Sequence, residues 1–228
     1  MRKTKWTFLT AAVLIVAGCQ HAKDPDKRVG GSGKINEADM KFETSEDPPL
    51  KANTHFAAGQ LAEARGDLST AVEQYWKAVK LQPKCKDALF RLGIVYTRLE
   101  HYPDAIVAWK EYVKATDGDA AGYSNLGFCS ELAGKHNDAE SAYRKGIEKD
   151  PANNPCRVNY GLMLARDCRI GEATIQLQAV LTPAEVHYNI ASIYEHQGKK
   201  ESARVEYRKA LTLEPDFADA QVRLSLLQ

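Results

Sequence analysis

Residues 86–119 read KDALFRLGIVYTRLEHYPDAIVAWKEYVKATDGD, and this stretch decides the fold of the chain. Leu92 and Tyr96 lie four positions apart in its first half. Ala105 and Trp109 have the same spacing in its second half. Residues spaced in this way share one face of an α-helix, so each half carries an apolar stripe. The stretch therefore predicts two helices joined by a short turn.

The same pattern recurs on both sides of this stretch, at a period equal to its own length. Two sets of small residues align at that period, namely Gly59, Gly93, Gly127 and Gly161, and Ala71, Ala105, Ala139 and Ala173. Eight positions do not align at a fixed period by chance, so the chain is a repeat array. Each unit of such an array packs on its neighbours, so division into separate globular domains has little meaning.

The repeated motif has Leu-Gly, Tyr, Ala, an aromatic residue, Ala and Pro at fixed positions, and it resembles the tetratricopeptide repeat. Leu126, Gly127 and Tyr143 carry it in the third unit. The second unit has Asp117 at the position of the final proline, and the fourth unit is shorter than the others. The resemblance implies an all-α fold, a right-handed superhelical solenoid of five helix-turn-helix repeats with a C-terminal capping helix. The predicted repeats are residues 52–85, 86–119, 120–153, 154–183 and 184–217, and the capping helix is residues 218–228.

Glycines and prolines divide each predicted repeat into its two helices. Pro103 is expected at the start of a second helix, where the missing N–H costs little. In the short fourth repeat the second helix is expected to end near Leu181, before Thr182 opens the next one. The glycines expected in turns, where φ is often positive, are Gly66, Gly134, Gly171 and Gly198. The prolines expected to stop a second helix are Pro83, Pro151 and Pro215. The capping helix, starting at Phe217, is expected to pack through Ala218, Val222, Leu224 and Leu227.

Residues 1–18 have the layout of a secretory leader. Residues 1–5 are basic, and residues 6–17 form an apolar run that is too short to span a bilayer comfortably. Small residues precede Cys19, a pattern that resembles the lipobox of bacterial lipoproteins. The resemblance implies a signal peptide over residues 1–18 and acylation of Cys19 with fatty acids such as palmitate. An ordinary secreted protein cleaved near Gly18 and an uncleaved anchor are the alternatives.

Residues 19–51 contain little that could be buried, since they are rich in Gly, Pro, Ser and charge. This composition predicts a disordered tether with a root-mean-square reach of roughly 30 Å. The alternative is a tail that binds a partner. Gln20 follows the cysteine, and the lipoprotein sorting rule of Gram-negative bacteria would require Asp there for inner-membrane retention. The expected location is therefore the cell envelope, lipid-anchored at the outer membrane and facing the periplasm.

The charge balance gives no reason to expect nucleic acid as a partner. The chain has 31 basic and 30 acidic residues, and removing Arg2, Lys3 and Lys5 with the leader leaves 28 basic and 30 acidic, a net charge of −2. Proteins that bind nucleic acid usually carry a clear positive excess. With 44% hydrophobic and 27% charged residues, the composition is ordinary for a helical protein.

Four cysteines beyond Cys19 allow two interpretations. Disulfides form in the oxidising compartment that an exported chain enters. Cys156 and Cys168 lie twelve positions apart on one predicted helix, about 18 Å, which is too far for a bond. Cys129 with Cys168 is the most plausible pair, between the first helices of adjacent repeats. The alternative is that the cysteines, including Cys85, are small apolar core residues.

The sequence contains no motif that singles out a catalytic, metal or cofactor site. The histidines are scattered, and neither Cys-x-x-Cys nor His-Glu-x-x-His occurs. Glycine-rich phosphate loops and Gly-x-Ser-x-Gly are absent as well. His187 stands at a large packing position of the repeat and is expected in the core. We therefore expect a non-enzymatic protein with no metal, no cofactor and no small-molecule substrate.

The resemblance also implies a ligand groove lined by fixed positions of each first helix. An Asn amide both donates and accepts hydrogen bonds, so Asn at the sixth position of three repeats could hold a peptide backbone. Aromatic residues at the fifth position would supply apolar pockets, and Arg can grip carboxylates. The alternative is that Asn is common at this position whether or not a ligand binds. The predicted groove residues are Phe56, Gln60, Phe90, Arg91, Arg98, Asn125, Phe128, Asn159, Arg166, Tyr188, Asn189 and His196.

These features together predict a membrane-anchored adaptor that binds a peptide or helix of another envelope protein. The chaperone-binding subtype of the repeat is excluded, because Phe56 stands where its carboxylate-gripping lysine would be. Small lipoproteins with this repeat include pilotins and pilus-assembly factors, such as those of tight-adherence pili, so assembly of a pilus or secretion complex is one expected role. Regulation of an envelope enzyme that builds peptidoglycan is the alternative.

Overall fold

The computed structural model describes residues 50–227, and this part of the chain consists of eleven α-helices and contains no strand. Five consecutive pairs of helices are followed by one final helix, so the predicted all-α solenoid of five repeats with a C-terminal helix is confirmed. The helices are α1 (Ala52–Ala64), α2 (Leu68–Leu81), α3 (Lys86–Arg98), α4 (Tyr102–Ala115), α5 (Ala120–Leu132), α6 (His136–Lys149), α7 (Asn154–Arg166), α8 (Ile170–Gln178), α9 (Pro183–His196), α10 (Lys200–Leu213) and α11 (Ala218–Leu226).

The turn inside each repeat places one residue in the left-handed backbone region. Gly66, Gly134 and Gly198 have φ values of 80°, 72° and 73°, as predicted. The prediction for Gly171 is wrong, because that residue lies inside α8 and Cys168 takes the turn position with φ 61°. The left-handed residue is the fifteenth of every repeat, and counting from residue 154 places it at 168. Glu100 fills the same position in the second repeat with φ 59°.

The prolines mark helix boundaries as predicted. Pro103 lies in the first turn of α4. The residues that follow α2, α6 and α10 are C-caps, and a proline comes directly after each cap, at 83, 151 and 215. Proline cannot continue the helical hydrogen-bond ladder, so these positions end the second helices.

The fourth repeat is short because α8 has 9 residues, whereas the other second helices have 14. It ends at Gln178, slightly before the predicted end near Leu181. Thr182 then caps α9 in a reciprocal capping box with Glu185, and Pro183 occupies the first turn. The capping box and the proline together fix the start of α9, so the next repeat begins directly after the short second helix.

In the first four repeats, close contact between the two helices depends on the glycine in the first helix. A Cβ built on Gly93 would lie 2.3 Å from Trp109 Cε2, and one built on Gly127 would lie 2.6 Å from Tyr143 Cε1. The aromatic ring therefore occupies the space that a side chain on the first helix would need. Trp109 and Tyr143 are 1% and 0% exposed, so the core of these two repeats lies at this crossing.

The last helix packs on α10 through residues that differ in part from the predicted set. Leu224 and Leu227 are partly buried against Tyr207 and Ala210, as expected. The prediction for Ala218 and Val222 is wrong, since both are exposed. Ala220 is fully buried instead. The turn of the helix after Phe217 directs position 220 toward α10, and positions 218 and 222 then fall on the opposite side.

The four cysteines in the described part of the chain are free thiols, so the Cys129–Cys168 disulfide is not formed. Cys129 and Cys156 are buried, in line with the core interpretation, and Cys85 is partly buried. The expectation that Cys168 lies on one helix with Cys156 is wrong. The helix α7 ends at Arg166, and Cys168 is exposed in the turn that follows, with its Sγ 3.6 Å from Lys199 Nζ.

The predicted signal peptide, the lipidation site Cys19 and all of the predicted tether (residues 19–51) except Leu50 and Lys51 lie outside the described residues, and they remain predictions. Within residues 50–227, none of the helices is both long enough and apolar enough to cross a membrane.

Candidate peptide-binding groove

The twelve predicted groove residues all lie on the first helices of the five repeats, α1, α3, α5, α7 and α9. None of them is buried, so each side chain reaches the surface. The first helices also contact one another along the array, α5 with α7 and α7 with α9. The structure therefore places the predicted residues in one row of neighbouring helices.

The aromatic residues at the fifth position lie against aromatic residues of the core. Phe90 packs edge-on to Trp109 with ring centroids 5.3 Å apart. Tyr188 contacts Tyr207 and Phe217, with centroid distances of 5.6 and 5.0 Å. These rings are half-buried, so each is held in place from below and presents one side to the surface. Rings held in this way favour binding because little side-chain entropy remains to be lost.

The three asparagines at the sixth position differ in what they contact. Asn159 donates to Ser124 Oγ at 3.3 Å, which links α7 to α5. Asn189 donates to the Glu185 backbone oxygen of its own helix at 2.8 Å. Within residues 50–227, the Asn125 side chain has no hydrogen-bonding partner. Asn125 is therefore the amide whose full donor and acceptor capacity is open to a ligand.

The arginines predicted to grip a ligand already bind carboxylates of the chain itself. Arg91 donates from Nε and Nη2 to Glu63, at 3.0 and 2.6 Å. Arg98 donates to the same carboxylate at 3.2 Å. Arg166 pairs with Glu131 in the same manner. These ion pairs join neighbouring repeats, and the expectation that the arginines also grip a ligand stays a prediction.

Sequence analysis missed the acceptors of these contacts, which are glutamates in the first helices, at the twelfth position of the repeat. Tyr75, in the second helix of repeat one, donates its hydroxyl to Glu63 at 2.8 Å. Tyr207 donates to Glu195 at 2.8 Å in the fifth repeat, and Arg223 lies 3.5 Å from that carboxylate. The signal was present in the sequence as Glu63, Glu131 and Glu195, which lie at one repeat position in alternate units.

The second and fourth repeats lack this cluster. Thr97 stands at the twelfth position of the second repeat and donates to the Gly93 backbone oxygen at 2.7 Å. Ala165 stands there in the fourth repeat and is 1% exposed. The corresponding residues of the second helices are Trp109 and Leu177, which need no carboxylate acceptor. Polar clusters and apolar contacts therefore alternate along the solenoid.

Burial sets the protonation of these clusters. It raises the pKa of Tyr75 to about 12, and the Glu63 carboxylate adds to the shift. Burial also raises the pKa of Glu131 above its usual value, and the Arg166 guanidinium opposes that shift. The tyrosine hydroxyls are protonated at neutral pH and act as hydrogen-bond donors. Each carboxylate accepts hydrogen bonds from a tyrosine of its own repeat or an arginine of the next repeat, which suits a structural role.

His187, expected in the core, is only half-buried. Its Nδ1 lies 2.7 Å from Glu206 Oε2 on α10. His55, at the same repeat position, contacts Gln74 Oε1 on α2 at 2.8 Å. Both histidines therefore link the two helices of a repeat at its surface. No group of three or more metal-ligating side chains exists among residues 50–227.

A separate depression of about 430 Å³ lies between α6, α7 and α8 and includes none of the predicted groove residues. Ile175, which is 64% exposed, lies at its edge. The polar groups around it are bonded to the chain, since Arg144 contacts both Glu140 and Tyr160. The row of first helices combines the unbonded Asn125 amide with half-buried aromatic rings, which this depression does not.

Curated relatives align with about half of the chain. Small glutamine-rich tetratricopeptide repeat-containing protein 2 of Mycosarcoma maydis is 29% identical over 109 residues, which are 48% of this chain and 31% of that protein. Heat shock protein STI1 of Saccharomyces cerevisiae is 28% identical over 109 residues, or 47% and 18%. The chain thus spans a third or less of the length of either relative.

Solved structures of similar fold cover most of the chain. The crystal structure of YrrB, described as a tetratricopeptide repeat protein with an unusual peptide-binding site, is 22% identical with a TM-score of 0.56, covering 76% of this chain and 91% of YrrB. The crystal structure of MamA is 22% identical with a TM-score of 0.61, covering 74% and 94%. Family models described as tetratricopeptide repeat match residues 50–121 and 184–217. Residues 50–121 and 184–217 therefore match tetratricopeptide repeats, and the described part of the chain shares its fold with solved tetratricopeptide repeat structures.

Proposed function

We propose that this chain is a membrane-anchored adaptor that binds a peptide or a helix of another envelope protein along its row of first helices. The observation that carries the proposal is that an unbonded amide and aromatic rings occur together at the centre of the row. Asn125, whose amide is free, lies on α5. Two half-buried aromatic residues accompany it, Phe128 on the same helix and Phe90 on α3 of the preceding repeat.

The proposed mode of binding uses the amides for the ligand backbone and the rings for its apolar side chains. Asn125 can donate to a backbone oxygen and accept from a backbone N–H at the same time. Asn159 and Asn189 keep their side-chain oxygens as acceptors, because their amide nitrogens make the contacts within the chain. The arginines act indirectly by holding the repeats in register.

The fold is consistent with a role in protein binding rather than in catalysis. Tetratricopeptide solenoids present a long surface that suits an extended partner. YrrB, which shares the fold, is described as having a peptide-binding site. We extend that type of ligand to this chain as part of the proposal, and we propose that the chain is not an enzyme.

The anchor and the location rest on the leader and on Cys19. Acylation of Cys19 would keep the solenoid at a membrane, and the residue after it favours the outer membrane. A partner in pilus or secretion-complex assembly is proposed first, and a peptidoglycan-building enzyme second. Both would engage the same row of first helices.

The test is affinity capture from membranes of the native host with a C-terminally tagged chain. Asn125→Ala should reduce recovery of the specific partner about tenfold, since a lost pair of hydrogen bonds at a desolvated site is worth about 1–3 kcal/mol. Asn137→Ala is the matched control, because Asn137 lies on α6 of the same repeat and is exposed. Far-ultraviolet circular dichroism should be unchanged in both variants.

The identity of the captured protein separates the two proposed roles. A secretin or pilus component supports assembly, and a peptidoglycan synthase supports regulation. Equal recovery by wild type and Asn125→Ala would show that the partner binds elsewhere. A Cys19→Ala chain that remains in the membrane fraction would contradict the lipid anchor.

A further inference from the structure

The depression between α6, α7 and α8 has counterparts elsewhere in the array, and they differ in what fills them. Each lies where the second helix of one repeat meets the two helices of the next. Its volume is about 430 Å³ between repeats three and four and about 190 Å³ between repeats two and three. Between repeats one and two, a tryptophan stands at this place.

The ring that fills the first of these places is the indole of Trp76. Trp76 is the twenty-fifth residue of repeat one, and Tyr96 is the eleventh residue of repeat two. The indole donates from Nε1 to Tyr96 Oη at 2.8 Å. Both rings are half-buried in one cluster with Leu92 and Ala108. The space between a second helix and the following repeat therefore accommodates a tryptophan side chain in this fold.

Between repeats three and four, the same two positions carry Arg144 and Leu164 instead of aromatic residues. Leu164 is 0% exposed and forms the floor of the depression. Arg144 donates from Nε and Nη2 to Glu140 of its own helix, at 3.0 and 2.6 Å. Half-buried Ile147 and exposed Ile175 line the sides. The place that an indole fills in the first pair of repeats is thus an apolar depression here.

One charge at the depression is not neutralised within the described part of the chain. Arg157 donates from Nε to the Pro151 backbone oxygen at 2.6 Å and from Nη1 to Gln176 Oε1 at 2.9 Å. Both acceptors are uncharged, and Arg157 forms no ion pair with any described residue. The other charged groups at the depression, Arg144 and Glu172, are each paired within the fold. An occupant with a carboxylate is therefore favoured, since a guanidinium binds one strongly.

We propose that the depression between α6, α7 and α8 is a second binding site, which takes an aromatic side chain of a partner protein that has an acidic residue beside it. The aromatic ring packs between Ile147 and Ile175 over Leu164, as the indole of Trp76 packs in the first pair of repeats. The acidic residue accepts hydrogen bonds from Arg157. The volume lies within the range of ligand pockets, about 300–1,000 Å³. None of the predicted groove residues lines this site, so a partner can occupy it independently of the groove.

Methyl nuclear magnetic resonance of the full chain in detergent, with labelled isoleucine methyl groups, tests the proposal. The probe is a short peptide of glycine and serine, blocked at both ends, that carries one tryptophan between two aspartates. The ring current of a bound indole should shift the methyl signals of Ile147 and Ile175. The signal of Ile106, which is buried in the second repeat, should stay in place.

Variants of the probe and of Arg157 separate the contributions of the ring and the charge. Replacing the tryptophan of the probe by alanine should weaken binding at least about tenfold, because aromatic residues dominate such contacts. Replacing its aspartates by asparagine should weaken binding about threefold, the size expected of a partly exposed ion pair. Arg157→Gln should cause the same loss with the aspartate peptide and none with the asparagine peptide.

A matched pair of glutamate variants locates the site. Ile175→Glu should abolish the shift of the Ile147 signal, because it places a negative charge where the acidic probe binds. Ile175 is 64% exposed, so the fold does not depend on its side chain. Val107→Glu is the control, since Val107 holds the same position in repeat two and is 51% exposed. This variant should leave the shift intact.

Three results would overturn the proposal. The first is the absence of shifts at Ile147 and Ile175 with millimolar peptide. The second is a shift of Ile147 that survives Ile175→Glu or is lost equally in Val107→Glu. The third is a shift of both signals that appears without peptide as the protein concentration rises, which would assign the depression to a second copy of the chain.

Discussion

Glu63 holds the first two repeats together, and replacing it with glutamine tests whether a buried carboxylate stabilises this solenoid. Its side chain is 6% exposed. It accepts hydrogen bonds from Tyr75 on α2 and from Arg91 and Arg98 on α3. Glutamine has nearly the same shape, so Glu63→Gln removes the charge and one acceptor while the packing is kept.

The expected cost is about 2 kcal/mol of unfolding free energy. A hydrogen bond to a charged group contributes about 1.5–3 kcal/mol, and removing one partner of a buried pair costs more than removing both. Arg91 and Arg98 are 30% and 50% exposed at their side chains, so water replaces part of what they lose. Arg98→Ala, which breaks the more exposed pair, should cost no more than about 1 kcal/mol.

Urea unfolding followed by circular dichroism measures the lost free energy of unfolding. In a thermal scan the melting temperature should fall by about 4–8 °C. Glu73→Gln is the control, because Glu73 is 62% exposed and pairs only with Lys77 on its own helix. That variant should lie within about 0.5 kcal/mol of wild type. Equal free energies for the two variants would refute the assignment of a stabilising role to the Glu63 cluster.

Three further predictions follow from the packing and the titrating groups. Gly93→Ala should cost about 1–3 kcal/mol or more by urea unfolding, because its Cβ would lie 2.3 Å from Trp109 Cε2. Hydrogen bonds from neighbouring arginines, chiefly Arg169, lower the pKa of Glu140 to about 2. The ionised Glu140 therefore stabilises the folded chain above pH 4.5, and this contribution is lost as the pH falls toward 2. Its size is about 1 kcal/mol once solvent screening is included. Cys168 should react with a thiol reagent in the native state, whereas Cys129, whose pKa burial raises to about 11, should react only after unfolding.

Each of these predictions has its own control. A Cβ on Gly171 would meet no atom within 4 Å, so Gly171→Ala should not destabilise the chain. A Glu140→Gln chain should lose less stability than wild type between pH 5 and pH 2.5, and an identical loss would contradict the role given to that carboxylate. Peptide mapping by mass spectrometry identifies the labelled thiols, and early labelling of Cys129 would show that its burial is not maintained in solution.

The residue pattern of the chain was enough to predict the repeats, because each unit is a local structure. The glycines and alanines that recur once per repeat, and the prolines that follow the second helices, report contacts within one helix pair. Such contacts depend on residues close in sequence, so the position of each helix pair can be predicted from the sequence pattern. The candidate groove residues could be assigned to first helices for the same reason.

The tertiary structure decided what depends on contacts between repeats. Arg91 was predicted to meet a ligand, but it binds Glu63 of the preceding repeat, and only the stacking of helices brings the two together. Asn125, Asn159 and Asn189 look equivalent in the sequence, yet their neighbours leave only Asn125 unpaired within residues 50–227. The sequence by itself therefore determined the solenoid and which residues lie on its surface. Packing between neighbouring repeats decided which polar side chains remain open to a partner. The reason is that a side chain can bind a partner only when its hydrogen-bonding groups are not already paired within the fold.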